Sequence, residues 1–159
     1  MNFKKVAFVC ALVFAVLLFG AAAKAASDPQ TGTWKFNSAK SLYSPGPAAK
    51  SITLTVWAEE KSVKIHSEGI DGEGKATKVD FTANFDGKDY PATGIAAGDM
   101  VSVERVDGTT LRVSMKKDGQ TVMTVTSVVS MDGKMRTSTF VGKDAMGHDV
   151  KNVVVYDKE

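Results

Sequence analysis

Residues 109–156, TTLRVSMKKDGQTVMTVTSVVSMDGKMRTSTFVGKDAMGHDVKNVVVY, decide the fold. Leu111, Val113 and Met115 alternate with Arg112, Ser114 and Lys116. Such alternation marks a strand with one buried face. Asp118-Gly119 separates this run from residues 120–130, and Asp132-Gly133 separates that run from residues 135–141. Asp-Gly between two apolar-patterned runs signals a hairpin, because a type I′ turn needs positive φ at both central residues. A short Gly-containing connection then leads to residues 150–156. The stretch predicts four strands in an antiparallel meander.

The chain upstream continues the pattern. Gly32-Thr33-Trp34-Lys35-Phe36 predicts a first strand. Ser44-Pro45-Gly46-Pro47 bars regular structure between residues 37 and 50. Ile52, Leu54 and Val56 alternate with Thr53 and Thr55, and Val63 and Ile65 with Lys64 and His66. Val79, Phe81, Ala83 and Phe85 alternate with Asp80, Thr82 and Asn84. Residues 90–93 make a short strand at best, since Pro91 cannot donate to a ladder. Val101 and Val103 alternate with Ser102 and Glu104. Asp-Gly pairs begin at 71, 86, 107, 118 and 132, the regular spacing of an all-β sandwich or barrel. About eight to ten strands result, nearly all joined to sequence neighbours by tight turns. Closing so long a meander removes both exposed edges, so the prediction is an all-β, antiparallel up-and-down barrel without a helical lid.

The first 25 residues are set apart. Lys4 and Lys5 precede an apolar run over residues 6–19, and Ala23-Lys24-Ala25 is a small-x-small cleavage site. This order is that of a secretory signal peptide. The expectation is residues 1–25 as signal and residues 26–159 as one barrel domain, exported to a periplasm or secreted. Cys10, the single cysteine, leaves with the signal. Of 20 basic residues Lys4, Lys5 and Lys24 leave too, so 17 face 18 acidic ones. The basic footprint that nucleic-acid binding relies on is gone, and no nucleic-acid partner is expected.

Gly32-Thr33-Trp34 resembles the G-x-W opening shared by the lipocalins and the fatty-acid-binding proteins. Leu111, Lys117-Asp118-Gly119, Asp132-Gly133-Lys134-Met135 and Val155-Tyr156-Asp157-Lys158 resemble the closing strands of the fatty-acid-binding branch. The resemblance implies a calycin-type, lipocalin-like barrel holding a small apolar or amphipathic ligand. Two departures accompany it. Residues 37–50 are too short and too rich in Pro and Gly for that branch's two-helix lid. The two arginines and one tyrosine that hold a carboxylate there correspond here to Val128, Val154 and Tyr156, so only the tyrosine is kept. The resemblance therefore implies a preference for neutral apolar ligands.

Catalysis has few candidates: His66 lies on the polar phase of its strand, and His148 lies in a turn with Asp144 and Asp149. That trio has metal-ligand chemistry, but a polar hairpin turn explains it too. Neither a catalytic residue, nor a metal, nor a cofactor is expected. Met131, Met135 and Met146 read as core filler. Trp34 reads as floor packing or cavity wall, and Trp57 as partly exposed. Arg105 keeps the inward phase of Val101 and Val103. It would then meet an anionic group at the barrel mouth, unless a phase slip puts Val106 inside and Arg105 in water. Phe81, Phe85, Leu111 and Met115 would fill the interior, whereas Ala83, Thr124 and Thr126 would leave room.

The functional expectation is an exported, non-enzymatic carrier whose pocket includes Phe81, Val101, Val103, Arg105, Val128, Val154 and Tyr156. The alternative is a filled barrel working through its outer surface, as an inhibitor or a module for a protein partner. Stable membrane insertion is not expected, since the runs are mostly shorter than membrane strands and lack aromatic girdles.

Overall fold

The computed structural model describes residues 27–96 and 98–159. The predicted signal peptide, its cleavage site and Cys10 lie outside them. Ten strands follow one another: β1 Gly32–Phe36, β2 Ser51–Ala58, β3 Ser62–Ile70, β4 Ala76–Asn84, β5 Tyr90–Thr93, β6 Met100–Arg105, β7 Thr110–Lys117, β8 Gln120–Val129, β9 Met135–Lys143 and β10 Asp149–Lys158. Each pairs antiparallel with its sequence neighbour, and β1 pairs with β10 to close the barrel. The predicted meander and its closure are both present. The lid is absent: among the described residues the one helical element is a 3-10 turn, Ser38–Lys40. Beyond it Leu42 bridges to Val153, which lays the Pro-rich segment along β10.

The Asp-Gly pairs act differently from one another. Asp118 (φ 50°) and Gly119 (φ 76°) both have positive φ, and Lys117 pairs with Gln120, so this is the expected two-residue hairpin. Elsewhere the expected type I′ geometry is not found. At Asp132-Gly133 only the glycine has positive φ. There the aspartate works through its side chain, accepting the N–H of Lys134. Asp86 accepts from Lys88, Asp107 from Thr109, and Asp71 from Glu73 and Lys75 in the same way. A side-chain acceptor two residues ahead substitutes for a backbone turn.

The turns at 59–61, 106–109 and 130–134 and the lead into β1 gather at one end, here called the floor. The turns at 71–75, 118–119 and 144–148 and segment 37–50 gather at the other, the mouth. The floor half is solid. Trp34, Val56, Val63, Val101 and Val103 are fully buried there or beside it. Gln30 seals it: its Nε2 donates to the Thr109 carbonyl, and its own carbonyl accepts from Trp34 Nε1 at 3.1 Å. The barrel's exterior is polar along rows such as Arg112, Thr126 and Thr139. No helix of the described residues is long and apolar enough to cross a membrane.

Candidate functional site

The mouth half is hollow. A chamber of about 180 Å³ lies inside it, walled by Leu54, Phe81, Val113, Val125 and Phe140. Above it opens a bowl of about 600 Å³ rimmed by Tyr43, Pro47, Ile95 and Met146. Thr77, Val79, Met115 and Phe140 belong to both and form the neck between them. The walls come from the inward phase of the strands. Cross-strand partners share a face, so Val56, Ile65 and Phe81 form one row, and Val113, Val125 and Phe140 another.

The chamber's lower end is polar. Arg136 on β9 opposes Tyr156 on β10 and Val129 on β8. Arg136 is 2% exposed and is the one charged residue lining the chamber. Its Nη1 donates to Gln30 Oε1 at 2.5 Å. Its guanidinium lies 6.0 Å from the Trp34 ring, while its Nε is buried without a partner among the described residues. Burial pushes its pKa down to about 10, and Tyr156 acts the other way. It is therefore still a cation at neutral pH. Burial, aided by Tyr43, pushes the Tyr156 phenol upward, so it remains an O–H donor. Ser127 and Ser138 share a buried hydrogen bond of 2.8 Å on the same wall.

The seven expected pocket residues separate into four groups. Phe81 and Tyr156 line the chamber. Val101, Val103 and Val154 point inward and are buried, but in packed core rather than at the cavity wall. Arg105 keeps its inward phase, with Val106 exposed, yet it sits at the floor and not at the mouth. Asp28 pairs with it at 2.6 Å, and it stacks 4.3 Å from the centre of the Phe85 ring. Val128 is 42% exposed on the outside.

The Val128 placement corrects the phase of β8. Met123, Val125, Ser127 and Val129 face inward, while Thr124 and Thr126, expected inside, face out. This strand carries apolar residues on both phases, and a register shift at Met115/Lys116 lies opposite it. Neither alternation nor counting from the turn defines its inner face.

Other candidates resolve simply. His66 faces outward and pairs with Asp80 at 2.5 Å. Asp144 accepts the N–H groups of Met146 and His148, and Asp149 pairs with Lys143 at 2.8 Å, so the trio's carboxylates are taken up by the turn. Met131 and Met146 are exposed, correcting their reading as core filler; Met115 and Met123 line the bowl from inside the barrel, and Met146 from its rim. Trp57 is 46% exposed.

Two site residues, Arg136 and Gln30, escaped the sequence reading. On β9 the inward set is Arg136, Ser138 and Phe140, more polar than the outward set of Met135, Thr137, Thr139 and Val141. A search for the apolar phase therefore chooses the wrong face. Gln30 lies in a polar lead with no periodicity at all.

No family model matches the chain, and no curated protein matches its sequence. The closed ten-strand antiparallel meander is consistent with a calycin-like barrel.

Proposed function

We propose that this protein is an exported, soluble, lipocalin-like barrel that holds a small amphipathic molecule in its hollow half. The reading is of a binding protein rather than an enzyme. One observation carries it: an apolar chamber that joins an open bowl through a shared neck, above a solid floor. A pocket of a few hundred Å³ with apolar walls and a few convergent polar groups is the usual form of a small-molecule site. The chamber takes a head group or the end of a chain, and the bowl takes the remainder. The signal-like order of residues 1–25 supports export.

Native mass spectrometry of protein purified from its own compartment tests the reading. A retained molecule that denaturation releases is the expected result. An empty protein that also fails to bind a neutral apolar dye would return the function to the outer surface. The solid floor half and the exposed Val106 and Val128 beside it are what that alternative rests on.

A further inference from the structure

We propose that Arg136 anchors an anionic head group, and that the natural ligand is a single-chain carboxylic acid entering head first. The inference rests on the ligand-binding reading above and names the ligand class. It does not come from the resemblance, whose arginine positions are Val128 and Val154 here.

A guanidinium removed from water is strongly disfavoured unless an anion or a full set of acceptors surrounds it. Arg136 has one side-chain acceptor, Gln30 Oε1, and its Nε has none among the described residues. Among the described residues no carboxylate pairs with it, and the other ionisable group acting on it is Tyr156. Elsewhere this protein pairs its partly buried arginine: Arg105 has Asp28 at 2.6 Å. The uncompensated cation thus lies where a cavity reaches it, and the compensated one lies where the floor is closed.

The surroundings set the anion's class. Arg136 alone supplies positive charge to the chamber, which suits a single negative charge rather than a phosphate dianion. Tyr156, opposed to Arg136 in the ladder, offers a second donor from the adjacent strand. A planar two-oxygen acceptor matches a guanidinium fork. The chamber's remaining walls are mainly apolar, and the bowl lies beyond Thr77, Val79, Met115 and Phe140, which line both. A carboxylate at Arg136 therefore sends an apolar chain through the neck into the bowl. Of the three acidic residues at the rim, Asp71 and Asp144 are turned into their own loops as acceptors, and Glu73 stands exposed at the bowl's edge, away from the chamber.

The test compares dodecanoate, dodecanol and dodecylammonium as displacers of a neutral apolar dye, on wild type, Arg136→Gln and Tyr156→Phe. In wild type at neutral pH dodecanoate should bind about ten- to a hundredfold more tightly than dodecanol, the span of a charge-assisted hydrogen bond. Dodecylammonium should bind most weakly. Arg136→Gln should bring acid and alcohol to within about threefold, and Tyr156→Phe should weaken the acid more than the alcohol. Should Arg136→Gln not fold, the wild-type preference should still vanish as the carboxylate is protonated below pH ~4. Equal binding of acid and alcohol in wild type overturns the inference while leaving the pocket in place. So does an acid preference that survives in Arg136→Gln. Failure of the dye and of all three ligands removes the binding reading, and this inference with it.

Discussion

Arg136 and Tyr156 stand directly opposite one another on β9 and β10, both pointing into the barrel and both lining its chamber. The pair places the chamber's one lining charge beside a phenol that stays protonated. Gln30, reaching in from the lead before β1, holds the guanidinium from below. The floor and the site are therefore one structure, and perturbing the floor should be felt in the site.

Gln30→Ala removes the one side-chain acceptor of Arg136 and the donor that meets the Thr109 carbonyl. Leaving a buried charged group short of a partner costs about 1.5–3 kcal/mol. Urea unfolding should show a loss of that size. A loss below about 0.5 kcal/mol, the scale of a neutral surface substitution, would mean that the lead does not seal the floor.

The phase of β8 is testable by a neighbouring pair. Val128 is 42% exposed and Val129 is 2% exposed. Val128→Ser should change stability by less than about 0.5 kcal/mol, whereas Val129→Ser should cost at least ~1.5–3 kcal/mol. Thermal melts of the two variants measure the difference, and the reverse order would restore the phase that the resemblance implied.

Most of the fold is legible in the sequence because the inward residues of β2, β3, β4, β6 and β7 are apolar and their outward neighbours polar. Leu54, Val63, Phe81, Val103 and Leu111 could each be placed by alternation alone. The Asp-Gly pairs locate the turns, although only Asp118-Gly119 has the geometry they were expected to share. Legibility fails on β8 and β9 for opposite reasons. β8 has valines on both faces, so its pattern is ambiguous. β9 turns Arg136, Ser138 and Phe140 inward, so its pattern is inverted. The polar end of the site lies on the strand where hydrophobic periodicity is most misleading. A signal that would have found it is register: once Tyr156 is taken as inward, its partner across the final hairpin must share its face.

Two glycines with positive φ should respond differently to alanine. Gly133 (φ 70°) has open space around it, so Gly133→Ala adds only the left-handed backbone penalty of about 1–2 kcal/mol. Gly94 (φ 79°) lies against the Lys78 backbone, and a Cβ there would be driven into that carbonyl. Gly94→Ala should therefore lower the melting temperature distinctly more than Gly133→Ala. Equal shifts would contradict the close approach of Gly94 to β4.

Acid should unfold the barrel through its turns. The Thr109 N–H holds the Asp107 carboxyl below its ordinary range, and the Ser130 hydroxyl does the same for Asp132. In the Asp144 turn the backbone N–H of His148 has that effect. Each folded-state pKa is depressed, so the unfolded chain binds more protons as these groups titrate. The stabilisation is complete above the unfolded carboxylate value near 4 and is lost as pH falls through the folded values. Melting temperature should fall on acidification below pH ~4, and Asp132→Asn should flatten part of that fall. An identical acid profile in Asp132→Asn would remove the turn carboxylate from the account.

The central claim is that the ligand enters the chamber inside the barrel. Ser67 lies on the chamber wall between Leu54 and Val79 in the ladder, and is only partly buried because the cavity stands before it. Ser67→Leu should fill that space with little strain. Titration of a neutral apolar dye into wild type and Ser67→Leu is the direct measurement. Saturable one-to-one binding in wild type, reduced tenfold or more in Ser67→Leu at an unchanged or higher melting temperature, is the result expected. Undiminished dye affinity in a folded Ser67→Leu would contradict a ligand inside the barrel.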